Sequence, residues 1–281
     1  MSFHLVGTDA AEQIRTFLVE DIGPGDITTT AVVPEDASGK GRIEARQGLV
    51  VAGLPHAELC FPLVAPDTTT WSARVEEGTH ADPGDVLARV EGRLATILAA
   101  ERTALNLLMR LSGIATLTRR FVDAVQGTKA QIVDTRKTTP GLRSFEKYAV
   151  EVGGGHNHRM GLYDAILIKD NHLMAAGGIG PAVGAARNRY PDGIVIQVEV
   201  TNLTELDDAL AAGANAILLD NMTPDLMRDA VLRTEGRAVL EASGGITLDN
   251  VRSYAETGVD RISIGALTHS APAVDIALEV E

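Results

Sequence analysis

The chain has 281 residues, 45% of them hydrophobic and 22% charged. This is a globular composition, long enough for one large α/β domain or a barrel with an appended domain, and neither disordered nor collagen-like. With 25 Lys and Arg against 38 Asp and Glu, the formal net charge is −13. That argues against nonspecific nucleic-acid binding, which needs a basic face, but leaves room for a local cationic pocket.

Residues 8–20 read as an amphipathic helix with Ile14, Phe17 and Leu18 on one side. No basic leader precedes a long apolar run, and no apolar stretch reaches the ~18 residues of a membrane span, so a soluble cytoplasmic protein is expected. From Asp21 to Gly92 short β-prone runs are punctuated by Pro, Gly and Asp. They comprise Thr28–Val33, Gly41–Ala45, Leu49–Val51, Thr69–Val75 and Val86–Val90, which predict a small antiparallel sheet with a turn at Pro83-Gly84. Cys60, the only cysteine, reads as a small buried hydrophobe.

Leu94–Arg110 predicts a strong helix, with Leu94, Leu98, Leu105 and Met109 at helical spacing. Arg102 falls on that same face. A charge in an apolar stripe either snorkels to water or marks a subunit interface or an anion site.

From Gln131 the rhythm changes to repeated β/α units. Six strands are predicted, at Gln131–Asp134, Ala165–Ile168, Ile194–Val200, Ala216–Leu219, Ala238–Glu241 and Arg261–Ile264, with helices between them. Right-handed crossovers then favour a closed or nearly closed parallel barrel. No GxGxxG follows the first strand, so a dinucleotide-binding fold loses ground.

Barrel chemistry sits at the C-terminal strand ends. Those ends carry Arg136 and Lys137, then Lys169 to His172, Glu199, Asp220 with Asn221, Ser243 to Gly245, and Gly265. The cations suit an anion of several charges. The two glycine-rich ends that precede helices suit a phosphate. Glu199 and Asp220 suit sugar hydroxyls or a hard cation such as Mg²⁺, or are solvated strand-end acids. His156 and His158, in GGGHNHRMG, form an H-x-H pair that is weak evidence for a metal. A Schiff base is the rival role for Lys169. The bottom-up reading is a barrel enzyme for a phosphorylated sugar and a polyanionic partner.

The segment DTRKTTPGLRSFEKYAVEVGGGHNHRMGLYDAILIKDNH resembles the signature region of the quinolinate phosphoribosyltransferase family. The likeness continues in AERTALNLLMRLSGIAT, VEV, ILLDNM, LEASGGIT and GALTHSAPAVDIAL, and covers nearly the whole chain. It implies an N-terminal α/β sandwich over residues 1–110, rejoined by 268–281, and a C-terminal incomplete α/β barrel over 111–267. It also implies a homodimer that joins quinolinate to 5-phosphoribosyl-1-pyrophosphate with Mg²⁺, releasing nicotinate mononucleotide, pyrophosphate and CO₂. By the same resemblance Arg136, His158 and Arg159 hold the quinolinate carboxylates, with Arg102 arriving from the other subunit. Lys137 and Lys169 steady the pyrophosphate. Glu199 and Asp220 bind the ribose hydroxyls, directly or through Mg²⁺. Ser243, Gly244, Gly245, Gly265 and Ala266 hold the 5-phosphate, and His172 is a further phosphate or positioning contact.

Overall fold

Residues 8–191 and 193–281 are described by the computed structural model of the chain. They divide into two compact units. The first takes in the chain up to Leu117, then Ser144–Gly154 and Ala271–Glu281; the second takes in Thr118–Arg143 and Gly155–Ser270. The sequence reading put the boundaries at 110/111 and 267/268 and left residues 144–154 with the barrel, whereas in the structure that stretch belongs to the first unit.

The first unit opens with α1 (Thr8–Ile22), α2 (Ile27–Val32), β1 (Ser38–Ala45), β2 (Leu49–Val50) and α3 (Leu54–Val64). It continues through β3 (Thr69–Ala73), β4 (His80–Ala81), β5 (Val86–Arg93) and α4 (Leu94–Ala124). The C-terminal strand Ile276–Val280 pairs antiparallel with β1, giving a four-stranded sheet in the order C-terminal strand, β1, β5, β3. The antiparallel sheet is as predicted, but two local expectations fail. The Thr-rich run 28–33 is not a strand. Asp26 caps α2 by accepting Thr29 N–H at 2.9 Å, and Thr30 Oγ1 bonds back to the Asp26 carbonyl at 2.6 Å. A side-chain cap thus overrides β-propensity. On α4, Leu94, Leu98 and Met109 are only half-buried and Arg102 is exposed. Of the predicted face Leu105 is buried, and the core face is formed mainly by Ile97, Ala100, Ala104, Leu108 and Leu111.

The second unit holds β6 (Gln131–Val133), β7 (Ile166–Ile168), β8 (Ile196–Val200), β9 (Ala216–Asp220), β10 (Val239–Ser243) and β11 (Arg261–Ser263). All are parallel, in the order β6-β11-β10-β9-β8-β7. From β7 to β11 each strand neighbours its successor, and the first strand, β6, pairs with the last. That is a barrel order left open between β6 and β7, not a doubly wound sheet. On the open edge of β6, His156 forms a one-residue parallel bridge with Val133: its N–H reaches the Ile132 carbonyl at 2.9 Å, and its carbonyl accepts Asp134 N–H at 3.1 Å. The crossover helices bury Val183, Leu206, Met227 and Val251. Among the described residues, no helix is long and apolar enough to cross a membrane.

Candidate active site

Side chains alternate across a strand, so residues two apart face the same way. In the second unit the inward set is Leu167 and Lys169 after β7, Glu199 on β8, Leu218 and Asp220 on β9, Glu241 and Ser243 on β10, and Ser263 and Gly265 after β11. Together with the loop after β6 they line one cavity of about 790 Å³ at the C-terminal strand ends. Register aligns Glu199, Leu218 and Glu241 in one row, and Asp220 with Ser243 in the next.

Arg136, Lys137, His158, Arg159, Lys169, Glu199, Asp220, Ser243, Gly244, Gly245, Gly265 and Ala266, all expected at a site, line this one cavity. Two are not on it. His172 caps the short helix Asp170–Ala176, its Nδ1 accepting the Lys169 N–H at 2.9 Å. Arg102 belongs to the first unit; its side chain is 57% exposed and its Nη2 lies 3.8 Å from Glu101 Oε1.

The cations are arranged for an anion. The buried Nε of Arg136 has no hydrogen-bond partner among the described residues. Arg159 donates from Nη1 to the Ala165 carbonyl at 3.0 Å. Burial, and then the nearby charge of Arg136, lower its pKa. Two like charges held close, one with a spare buried donor, form a site that an anion would stabilise. Lys169 Nζ donates to Glu199 Oε2 at 2.7 Å. An ammonium so paired, and about half exposed, is placed as a charge stabiliser; a Schiff-base amine would need a desolvated apolar setting.

The glycine-rich end of β10 is shaped by Asn221, which holds a left-handed backbone with φ +53°. Its Nδ2 donates to Asp220 Oδ2 at 2.8 Å, orienting that carboxylate. Gly244 has φ +98°, and any Cβ there would overlap Asn221 Oδ1. Only glycine fits, which leaves backbone N–H groups open to a phosphate. Lys137 lies along Gly265, and its carbonyl accepts Thr268 Oγ1 at 2.8 Å, tying the loop after β6 to the helix Ala266–His269.

The sequence reading misses Gln197 and Glu241, and it places Asn221 beside Asp220 without giving it a role. Each had a signal: a polar side chain inside an apolar strand, spaced by two from a residue already chosen, or one position past a strand-end acid.

Glu199 has one oxygen on Lys169, and Asp220 has one on Asn221. Among the described residues no group of three or more His, Cys, Asp or Glu could hold a metal ion. Two carboxylates, each with one oxygen outside these bonds, could hold a hydrated Mg²⁺ through its water.

The quinolinate phosphoribosyl transferase N-terminal domain model matches residues 26–112, and the C-terminal domain model matches residues 114–279. The nicotinate-nucleotide pyrophosphorylase [carboxylating] of Mycobacterium leprae is 46% identical over 276 residues, covering 96% of this chain and 97% of its own. A probable enzyme of the same name from Bacillus subtilis is 43% identical, covering 95% of this chain and 92% of its own. The crystal structure of NadC from Streptococcus pyogenes superposes with a TM-score of 0.96 at 36% identity, over 100% of this chain and 99% of that one. A cation-lined cavity at the strand ends of a six-stranded open barrel, and matches that run through both units, lead to one conclusion: the chain belongs to the quinolinate phosphoribosyl transferase family.

Proposed function

We propose that the chain transfers the phosphoribosyl group of 5-phosphoribosyl-1-pyrophosphate to the ring nitrogen of quinolinate, releasing pyrophosphate and CO₂ and yielding nicotinate mononucleotide. The observation that carries this reading is a single cavity that combines Arg136, Lys137, Arg159 and Lys169 with two carboxylates and two glycine-rich strand ends.

Arg136 and Arg159 take the two ring carboxylates, and His158 orders the same wall. Lys137 and Lys169 face the pyrophosphate; His172 supports Lys169 by holding its N–H. The turns Ser243–Gly245 and Gly265–Ala266 take the 5-phosphate. Glu199 and Asp220 bind the ribose hydroxyls and hold Mg²⁺ through water. When bound, Mg²⁺ neutralises charge on the departing pyrophosphate.

The ring nitrogen displaces pyrophosphate at the anomeric carbon through an oxocarbenium-like state, and no protein nucleophile is needed. The difficult part is holding two polyanions together. Positioning of this kind lowers a barrier by up to ~7–11 kcal/mol, and each well-aimed charge adds about 3–4 kcal/mol. Once the nitrogen is quaternary, its positive charge stabilises the electron pair that CO₂ leaves on the adjacent carbon, and a proton from solvent water then completes the C–H bond of the product.

Arg102 enters the site of a second copy in a homodimer. Its exposed guanidinium on α4, flanked by the half-buried Leu94, Leu98 and Met109, supports this.

The test is turnover with Mg²⁺ and 5-phosphoribosyl-1-pyrophosphate, offering quinolinate and nicotinate separately. Mononucleotide with equimolar CO₂ from quinolinate alone is expected. No product from quinolinate in folded protein would remove this acceptor.

A further inference from the structure

The transfer chemistry leaves buried ionisable groups of the barrel unused, Asp134 and Glu241 among them. Glu241 is 1% exposed and lines the cavity from β10. Its Oε2 accepts from Nε2 of Gln197 at 3.0 Å. Gln197, 5% exposed on β8, places its Oε1 3.0 Å from Nε2 of His158. On the far side of that ring, Nδ1 accepts the main-chain N–H of Arg159 at 2.8 Å. The His158 N–H itself is held by Asp134 Oδ1 at 2.8 Å. A chain of hydrogen bonds therefore runs from a buried carboxylate to the backbone of an arginine on the cavity wall.

The direction of this chain follows from its two ends. An ionised carboxylate only accepts, so Gln197 must turn its amide NH₂ towards Glu241 and its carbonyl oxygen towards His158. The ring must then donate from Nε2. At the other end, a main-chain N–H only donates, so Nδ1 must be bare. Both ends require the same neutral tautomer, with the proton on Nε2. Burial would push the Glu241 carboxyl up, but hydrogen bonds from His158 and Gln197 hold it below the usual range, so it stays an acceptor at neutral pH.

We infer that Glu241 is a positioning residue of the acceptor pocket: through Gln197 and also directly, its Oε2 lying 3.5 Å from His158 Nε2, it holds His158 as the Nε2–H tautomer and so fixes the main chain that carries Arg159. The tautomer rests on the geometry alone; the link to quinolinate rests on the function proposed above. A protonated or amide side chain at 241 could donate as well as accept. Gln197 could then flip, and His158 could move its proton to Nδ1, where it would confront the Arg159 N–H.

The experiment is ¹⁵N NMR of the histidine rings in the full, ligand-free chain, with the His158 signals assigned by their loss in His158→Gln. Wild type is expected to show the Nε2–H tautomer at His158. Glu241→Gln is expected to mix the tautomers and to weaken quinolinate binding about 10-fold by calorimetry, a typical effect of losing such a supporting partner. Affinity for 5-phosphoribosyl-1-pyrophosphate should stay unchanged. Glu241→Asp, still an acceptor only, should restore the Nε2–H signature. An Nδ1–H ring or an imidazolium in wild type would overturn the inference, and that spectrum decides even if the variants do not fold. A Glu241→Gln chain with unaltered tautomer and affinity would overturn it too. Should wild type show the Nε2–H ring yet bind no quinolinate, the positioning chain stands and the identity of the acceptor falls.

Discussion

His56 lies in the first unit with its ring centroid 5.0 Å from Phe145 and 4.8 Å from Tyr148, both edge-on, and is 1% exposed. Its Nδ1 has no hydrogen-bond partner among the described residues. Burial lowers its pKa to about 4 from 6.5. The unfolded chain therefore binds the proton more tightly. Stability from this residue is fully present above pH 6.5 and is lost as pH falls towards 4, by up to about 1.4 kcal/mol per pH unit. Urea melts at pH 7.5 and 5.0 should show that loss in wild type, and His56→Phe should lack this part of it; equal slopes would refute the assignment. At the site, Arg159→Ala removes one member of a close cationic pair. Quinolinate binding should weaken by about 2–5 kcal/mol while the circular dichroism spectrum is retained. Unchanged quinolinate affinity would sink the role of Arg159. By contrast Cys60, which burial pushes up to about 12, should resist thiol reagents in the folded chain.

At the scale of elements, α3 shows why some structure was illegible. Its N-cap is Gly53, which has no capping side chain, and Pro62 lies inside it. The missing cap comes from far along the chain. Glu77 accepts Gly53 N–H at 2.9 Å and Leu54 N–H at 2.7 Å, and is itself held by Tyr148 Oη at 2.7 Å. Its one local start signal is Pro55 in the first turn, and no local pattern shows that its free N–H groups are met by a residue more than twenty positions later. Elements with local signals are legible: the start of α4 from its periodicity, although the helix runs past Arg110 to Ala124, and the barrel strands from short apolar runs alternating with helical stretches. The inner face of α4 was misassigned because apolar residues encircle much of this segment and spacing does not say which stripe is covered. Gly113, in α4, gives a test. An exposed helix-interior Gly→Ala change normally stabilises by about 1 kcal/mol. Here a Cβ would overlap the Pro272 carbonyl. Gly113→Ala should therefore destabilise, by about 1–3 kcal/mol as in other overpacked sites; a raised melting temperature would show that the helix and the segment at Pro272 part easily.

For the whole molecule, the proposed sharing of Arg102 between two copies has a direct consequence. Arg102→Ala and Arg159→Ala chains should each be nearly inactive. Mixed one to one and allowed to exchange, they should recover about a quarter of wild-type activity, because half the dimers then carry one intact site of two. No recovery, with exchange verified by labelled subunits, would place Arg102 outside the partner's site.

The repeated β/α rhythm, the cations at the ends of β6 and β7 and the glycines after β10 and β11 are all local facts, and they are enough for a parallel barrel and for the proposal of an anion and phosphate site at its strand ends. Their physical basis is short-range: side-chain alternation, turn chemistry and the rule that barrel function lies at one end of the strands. Tertiary structure alone decided what depends on partners distant in the chain. Glu241 meets Gln197 and His158 only because alternate strands converge inside the barrel, and His156 serves through its backbone because β6 has an open edge. Glu77 caps a helix it follows by more than twenty residues. Burial and hydrogen-bond direction are properties of that convergence, and no local pattern in the chain encodes them.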